Sequence, residues 1–244
     1  MLTRAKPDAV QRPRRFYETA DAAPVDTGFG VLLDGRPVKT PAGARLVLPT
    51  AAVAGLVAAE WASQGEHLII EDMPATRLAY TAIDRAPVAR EEVAAEIVGR
   101  IGADALCYFA DGPDALLQRE VAAWGPLLDW AEAELGLQLV RVSGLIHRPQ
   151  PPQTLERART LALELSDFGL TGLVNAAGLY GSAILAFSVQ GGRLGGEEAF
   201  DLSRLDEAFQ EERWGIDEEA AHRTARLRHE AVVLDGWFEA LRQT

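Results

Sequence analysis

Between Arg204 and His222 the chain reads RLDEAFQEERWGIDEEAAH, in which Asp206, Glu207, Glu211, Glu212, Asp217, Glu218 and Glu219 outnumber the one base among them, Arg213. Carboxylates this dense have three chemical uses: they ligate hard cations, they work as acid–base pairs, or they offer charge to another protein. A calcium loop alternates oxygen ligands around a glycine and ends on a glutamate at its twelfth position, an order this stretch lacks. A carboxylate pair for glycoside cleavage fits the composition, but no sugar-stacking context accompanies it. Much of the run also has a plain structural explanation. Ser203 is placed to cap a helix N-terminus, with Asp206 three residues on as in a capping box. Glu207 falls in the same first turn, where a carboxylate is stabilised by ~0.3–1 kcal/mol. Asp217, Glu218 and Glu219 repeat that logic at the next helix start. Glu211 and Glu212 read as solvated residues, and Leu205, Phe209 and Trp214 as the inward face.

Other chemistry finds little support. His222 and His229 stand two helical turns apart, about 10.5 Å, too far to share one ion. His67 and His147 belong to no His-Glu-x-x-His or paired Cys-x-x-Cys pattern, so no metal site is expected. Ser182 in GLYGSAI is not a Gly-x-Ser-x-Gly nucleophile elbow. Cys107 in ALCYF lies among apolar residues and reads as an inert small hydrophobe. The glycines of QGGRLGGEEAF lack the Gly-Lys-Ser/Thr ending of a phosphate loop and are followed by acids; the stretch reads as a connection between helices. No cofactor is expected.

The whole chain sets the same limits. It has 244 residues, a net charge of −12 and 48% hydrophobic residues, the balance of a folded protein with a substantial core. The negative charge disfavours nucleic acid and anionic membranes. A single cysteine suits a reducing compartment. Arg4, Lys6, Arg12, Arg14 and Arg15 precede no apolar stretch, so 1–14 is expected to be a disordered basic tail rather than a secretory signal. Phe168 to Gly192 carries no charge and is long enough to cross a bilayer of ~20 residues. Its glycines, asparagine and small polar residues point instead to a buried core helix, and no stable membrane insertion is expected.

The elements that must position these residues divide at residue 50. RFYETA alternates as a strand does, Asp34-Gly35 in GVLLDGRPVKT marks a tight hairpin, Pro37 fits an edge strand, and Pro41–Gly43 a second turn. Residues 15–50 therefore form an antiparallel β domain, and 51–244 a helical one: an α+β fold. Thr50 is the expected N-cap and Gly65 the expected stop of a helix presenting Val53, Leu56, Val57 and Trp61 on one face. Further helices are expected over APVAREEVAAEIVGRIG, with Pro87 in the first turn, and from Pro113 to Gly136, kinked or divided at Gly125-Pro126. The latter presents Leu117, Val121, Trp124, Leu128, Ala131 and Leu135. A short strand is expected at 138–142 and a proline-rich break at 147–153. Helices follow at 154–166, 168–192, 203–213 and from 217, the last with a four-three rhythm from Ala220 to Leu241.

RFYETA, GVLLDGRPVKTPAGARLVLPT, AAEWASQGEHL, MPATRLAYTAIDR, LCYFADGPDALLQRE, WGPLLDWAEAELG, GSAILAFSV and LSRLDEAFQEERWGIDEEA occur in an order that resembles the Atp-twelve family, the assembly chaperones of the F-type ATP synthase catalytic head. The match runs from Arg15 to about Glu230. The resemblance implies a β domain followed by a larger helical domain. It also implies a non-enzymatic chaperone that binds unassembled ATP synthase alpha subunit, prevents its aggregation and releases it to the beta subunit. An acidic position that matters for the family falls on Asp206, with Glu207 one register away. The family usually has glutamate there, so the charge sits about one methylene deeper here. Asp206, Glu207 and Glu211 are the candidate partner-binding residues, and Trp61 and Trp214 the structural ones. Trp61 matches a family position and shares a face with Val53 and Val57, which implies packing. The compartment expected is the bacterial cytoplasm, with the mitochondrial matrix as the alternative. On the residues alone, an enzyme with an acidic cleft and an unrelated helical adaptor stay open.

Overall fold

Two tight turns organise the N-terminal sheet. Asp34 and Gly35 adopt φ values of 47° and 77°, the left-handed pair a two-residue hairpin needs and that aspartate and glycine reach at low cost. They join β2 (Gly28–Leu33) to β3 (Arg36–Pro37), and Leu33 stands opposite Arg36. On the other side of β2 lies β1 (Ala20–Val25), antiparallel, with Ala20 opposite Leu33. The turn at Pro41–Gly43 returns the chain to β4 (Val47–Leu48), which pairs with the start of β2. The computed structural model describes residues 12–144, 146–215 and 218–243. The basic tail expected over 1–14 thus lies, up to residue 11, outside the described residues, as does Asp217.

The strand expected in RFYETA is not formed, and β1 begins only at Ala20. The Arg15 guanidinium donates to the carbonyls of Tyr17, Glu18, Ala62 and Gln64. The Tyr17 hydroxyl donates to the Trp61 carbonyl at 2.6 Å. These bonds fasten the segment to the end of α1 (Ala51–Ala62) and take it out of the ladder. Thr50 caps α1 by accepting from the Val53 N–H, and Val53, Ala54, Val57, Ala58 and Trp61 are its buried residues. The helix stops at Ser63, two residues before the expected Gly65.

α2 (Pro74–Asp84) is not among the expected helices although it buries Ala75, Leu78, Ala79 and Ala82 on one face, and no side chain of its own caps it. Its cap comes from α1: the Glu60 carboxylate accepts the N–H groups of Ala75 and Thr76 and the Thr76 hydroxyl, each at 2.7 Å. α3 (Ala86–Gly102) follows, with Pro87 in its first turn as expected. α4 (Asp114–Leu135) continues through Gly125-Pro126, so the proline does not divide it, and it ends at Gly136 with φ 72°. Pro126 and Ala122, whose carbonyl loses its helical partner, are both exposed, so that carbonyl is open to solvent. The strand expected at 138–142 sits instead at β6 (Val142–Ser143), parallel to β5 (Tyr108–Phe109).

After α5 (Pro152–Glu164) comes the uncharged stretch. It forms two helices rather than one: α6 (Asp167–Tyr180) and α7 (Ala183–Gln190). Gly181, at φ 67°, ends the first, and Ser182 starts the second by accepting the Leu185 N–H. The fully buried Asp104 fixes the break, accepting the Ser182 hydroxyl at 2.7 Å and the N–H groups of Ala183 and Ile184 at 2.7 and 3.1 Å. An anion at a helix N-terminus is favoured by the helix dipole and its free N–H groups.

α8 (Gly196–Ser203) and α9 (Leu205–Trp214) meet at Arg204, and α10 (Glu218–Arg242) closes the chain. One apolar core runs from Val31, Leu33 and Leu48 of the sheet through α1 to α6, α7 and α10. Among the described residues no helix is long and apolar enough to cross a membrane.

Candidate functional site

The acidic run is carried by α9, and the helix begins differently from the sequence reading. Ser203 is the last residue of α8, and its hydroxyl donates to the Phe200 carbonyl at 2.7 Å. It therefore does not cap α9, whose N-cap is Arg204 without a side-chain bond. Asp206 and Glu207 occupy the first turn, where their charge complements the helix dipole.

The side chains of α9 divide into three directions. Phe209 is buried and two guanidinium groups lie over its ring, that of Arg213 at 4.1 Å and that of Arg119 from α4 at 5.0 Å from its centre. Such cation–π contacts let an acidic helix rest on α4 with its one buried aromatic ring. Around this anchor Arg119 donates to both carboxylate oxygens of Glu212 at 2.7 and 2.9 Å. That pair holds the Glu212 carboxyl below the usual range. Arg204 donates to Glu211 at 2.8 Å.

Asp206 turns toward α4. Its Oδ1 is buried and has no hydrogen-bond partner, and neither has Oε1 of the fully buried Glu120. The other Glu120 oxygen, Oε2, accepts the Ala110 N–H at 2.6 Å. Burial raises the Glu120 carboxyl to about 7; the Ala110 bond opposes the rise, and Asp206, within hydrogen-bonding reach, adds to it. Trp124, one turn along α4, donates its indole N–H to the Leu202 carbonyl at 3.0 Å. The seat of α9 is thus built from Glu120 and Arg119, with Trp124 holding the preceding α8.

Of the three candidate partner-binding residues, Glu207 is exposed, Glu211 is engaged by Arg204, and Asp206 faces Glu120. Of the two structural candidates, Trp61 is buried against Tyr17, ring centres 5.7 Å apart. Trp214 is not on the inward face: at the end of α9 it is 85% exposed. The reason is register, since Phe209 and not Trp214 meets α4. Glu120 escaped the sequence reading because the apolar stripe of α4 was read as Leu117–Val121–Trp124. The buried series is Leu116, Glu120, Trp124, Leu127, Leu128, and an acid inside that stripe was the available signal. Cys107 is buried, and burial pushes its thiol up to about 12, as an inert thiol requires. Among the described residues no group of three or more metal-ligating side chains gathers.

The family model for the ATP12 chaperone protein matches residues 14–132. The crystal structure of Atp12 from Paracoccus denitrificans superposes with a TM-score of 0.86 at 39% identity, covering 94% of this chain and 99% of that one. The chain belongs to the ATP12 chaperone family. An aspartate-to-lysine mutant of P. denitrificans Atp12p is similar to the same degree, with TM-score 0.86, 38% identity, and 94% and 98% coverage. The curated mitochondrial protein atp12 of Schizosaccharomyces pombe is 28% identical over 224 residues, 85% of this chain and 75% of that protein. The α+β order of the ATP12 fold, strands first and helices after, is the one the sequence implied.

Proposed function

We propose that this ATP12-family chain is a holding chaperone for the unassembled alpha subunit of the F-type ATP synthase. It covers a surface that would otherwise aggregate and yields it to the beta subunit without catalysing a reaction. The observation that carries the reading, beside family membership, is the outer face of α9. There Trp214 stands 85% exposed on a helix whose exposed acids are Glu207 and Glu212. An exposed indole is a strong anchor for a protein partner, and the surrounding negative charge steers encounter and keeps the chaperone soluble. In this reading Glu207 and Trp214 contact the client, while Asp206 and Glu211 hold the helix that carries them. The acids of α9 are divided among separate partners rather than converging on one cleft, which speaks against an acid–base site. The compartment is wherever ATP synthase heads are assembled, the bacterial cytoplasm or the mitochondrial matrix.

The test is light scattering by isolated alpha subunit, with and without the protein and without ATP. Suppression at near-stoichiometric amounts is expected, weakened by Asp206→Lys and by Trp214→Ala. Absence of any association with alpha subunit in a pull-down rejects the proposal.

A further inference from the structure

We propose that Glu120 and Asp206 share one proton in a carboxyl–carboxylate hydrogen bond, and that this clasp seats α9 on α4 and positions the surface α9 offers to its client. Glu120 is then a positioning residue: it touches no partner and acts through Asp206. The second half of the proposal rests on the reading of α9 as the client-facing helix.

The geometry leads to the proton. Among the described residues three buried side-chain polar atoms lack a partner: Trp61 Nε1, Glu120 Oε1 and Asp206 Oδ1. Two of the three belong to carboxyl groups within hydrogen-bonding reach of each other. Two ionised carboxylates are acceptors only and cannot bond; a protonated one becomes a donor. One proton therefore satisfies both orphan atoms, while two adjacent charges in a water-poor site would be strongly disfavoured.

Among the described residues no local cation takes the place of the proton. On α4 Arg119 is bonded to Glu212, and on α9 Arg204 is bonded to Glu211 while Arg213 lies over Phe209. The elements packed on α4 bring few titratable groups. α7 contains none, the 105–109 segment brings the Cys107 thiol and the Tyr108 hydroxyl, and Asp104 is occupied at the start of α7. Asp114, Arg119 and Asp129 lie on α4 itself; Glu132 and Glu134 are farther along it. The Ala110 N–H fixes the second Glu120 oxygen, so the carboxyl cannot turn away from Asp206 without losing that bond.

A pH signature follows. The Glu120 carboxyl is raised to about 7 in the folded chain, whereas an unfolded glutamate titrates near ~4.3. A raised carboxyl stabilises the seat at low pH and loses that stabilisation as pH climbs from the unfolded value to the folded one. Opening of α9 increases by up to about tenfold per pH unit in that window and levels off above it.

The experiment uses the full chain. Carbon-detected NMR of the Glu120 carboxyl is expected to give a midpoint near 7. Protection of the α9 amides, corrected for intrinsic exchange, is expected to fall across the same interval. Glu120→Gln supplies an amide donor to Asp206 that cannot titrate; its α9 protection is expected to be independent of pH and its hold on alpha subunit to equal that of the native chain. Glu120→Leu keeps the bulk and removes the donor; it is expected to lose α9 protection at least tenfold and hold alpha subunit less well. A Glu120 midpoint in the ordinary glutamate range, or a pH profile unchanged in Glu120→Gln, overturns the clasp. Undiminished holding by Glu120→Leu overturns its positioning role. If the native chain holds no alpha subunit, the proposed function fails, and the titration and exchange data still decide the clasp.

Discussion

Gly196 presses against Ala231: a Cβ built on the glycine would stand 2.1 Å from the Ala231 carbonyl oxygen and 2.9 Å from the Asp235 Cβ. The contact is backbone to backbone, so no side chain can swing aside. It is locked by a bond from the Gly196 N–H to the Asp235 carboxylate at 2.9 Å, which caps α8 from α10. Gly196→Ala is therefore expected to lower stability by about 3 kcal/mol, the upper end of ordinary overpacking costs. Urea denaturation of the two proteins measures it.

Asp104 accepts bonds from Ser182, Ala183, Ile184 and Leu106 in a site with no exposure. Asp104→Ala leaves these donors unmet and opens a void. A loss of about 3–5 kcal/mol is expected, as for other broken buried charge sites. Ser182→Ala removes one donor and retains the backbone ones, so about 1 kcal/mol is expected. Equal losses in the two variants would show that the carboxylate does not organise the start of α7.

Cys107 gives a pH-related test. Burial lifts its thiol to about 12, with Asp104 adding to the rise, so the nucleophilic thiolate is scarce at pH 8. The native chain is expected to react with a thiol reagent at the rate of global or local opening. The denatured chain releases one equivalent at once. Fast native labelling at pH 8 would contradict the burial.

Trp214 separates stability from function. Its exposure predicts that Trp214→Ala changes the folding free energy by less than about 0.5 kcal/mol. The same variant is expected to abolish the most quencher-accessible part of the tryptophan fluorescence, because Trp61, Trp124 and Trp237 are buried. In the proposed function it weakens alpha-subunit holding by about thirtyfold, the scale of an interface hot spot of ~2 kcal/mol.

What was legible in the sequence follows physical locality. Asp34-Gly35, Thr50 and Gly136 sit where their own backbone preference and that of their neighbours determine the structure, and each does what its residue type indicates. Remote caps were not legible. Glu60 starts α2 and Asp104 starts α7 from far upstream, and no local pattern announces an acceptor supplied by another element. The uncharged stretch is a different case: Gly181 followed by Ser182 is itself a local stop-and-cap signal for its break into two helices. Pro126 is another: a proline inside a helix need not end it, and here the carbonyl it leaves without a partner, that of Ala122, is exposed.

The acidic run was legible as composition but not as a site. Its carboxylates were read by position within a helix, which located Asp206 and Glu207 in a first turn and mistook Ser203 for the cap. Their partners, Glu120 and Arg119, lie on α4, where Leu116 and Glu120 are buried in place of the expected Leu117 and Val121, although Trp124, Leu128 and Ala131 are buried as expected. That slip hid an acid in a buried row.

The interruption at Gly181 and Ser182 also governs what this molecule offers to lipid. A greasy run the length of a bilayer is presented as stubs of 14 and 8 residues, each short of the ~20 needed to cross. The residue that enforces the division is a carboxylate synthesised well ahead of them. A chain with the makings of a hydrophobic anchor thereby folds that material inward around a buried carboxyl group, and its longest uncharged run becomes the middle of the protein.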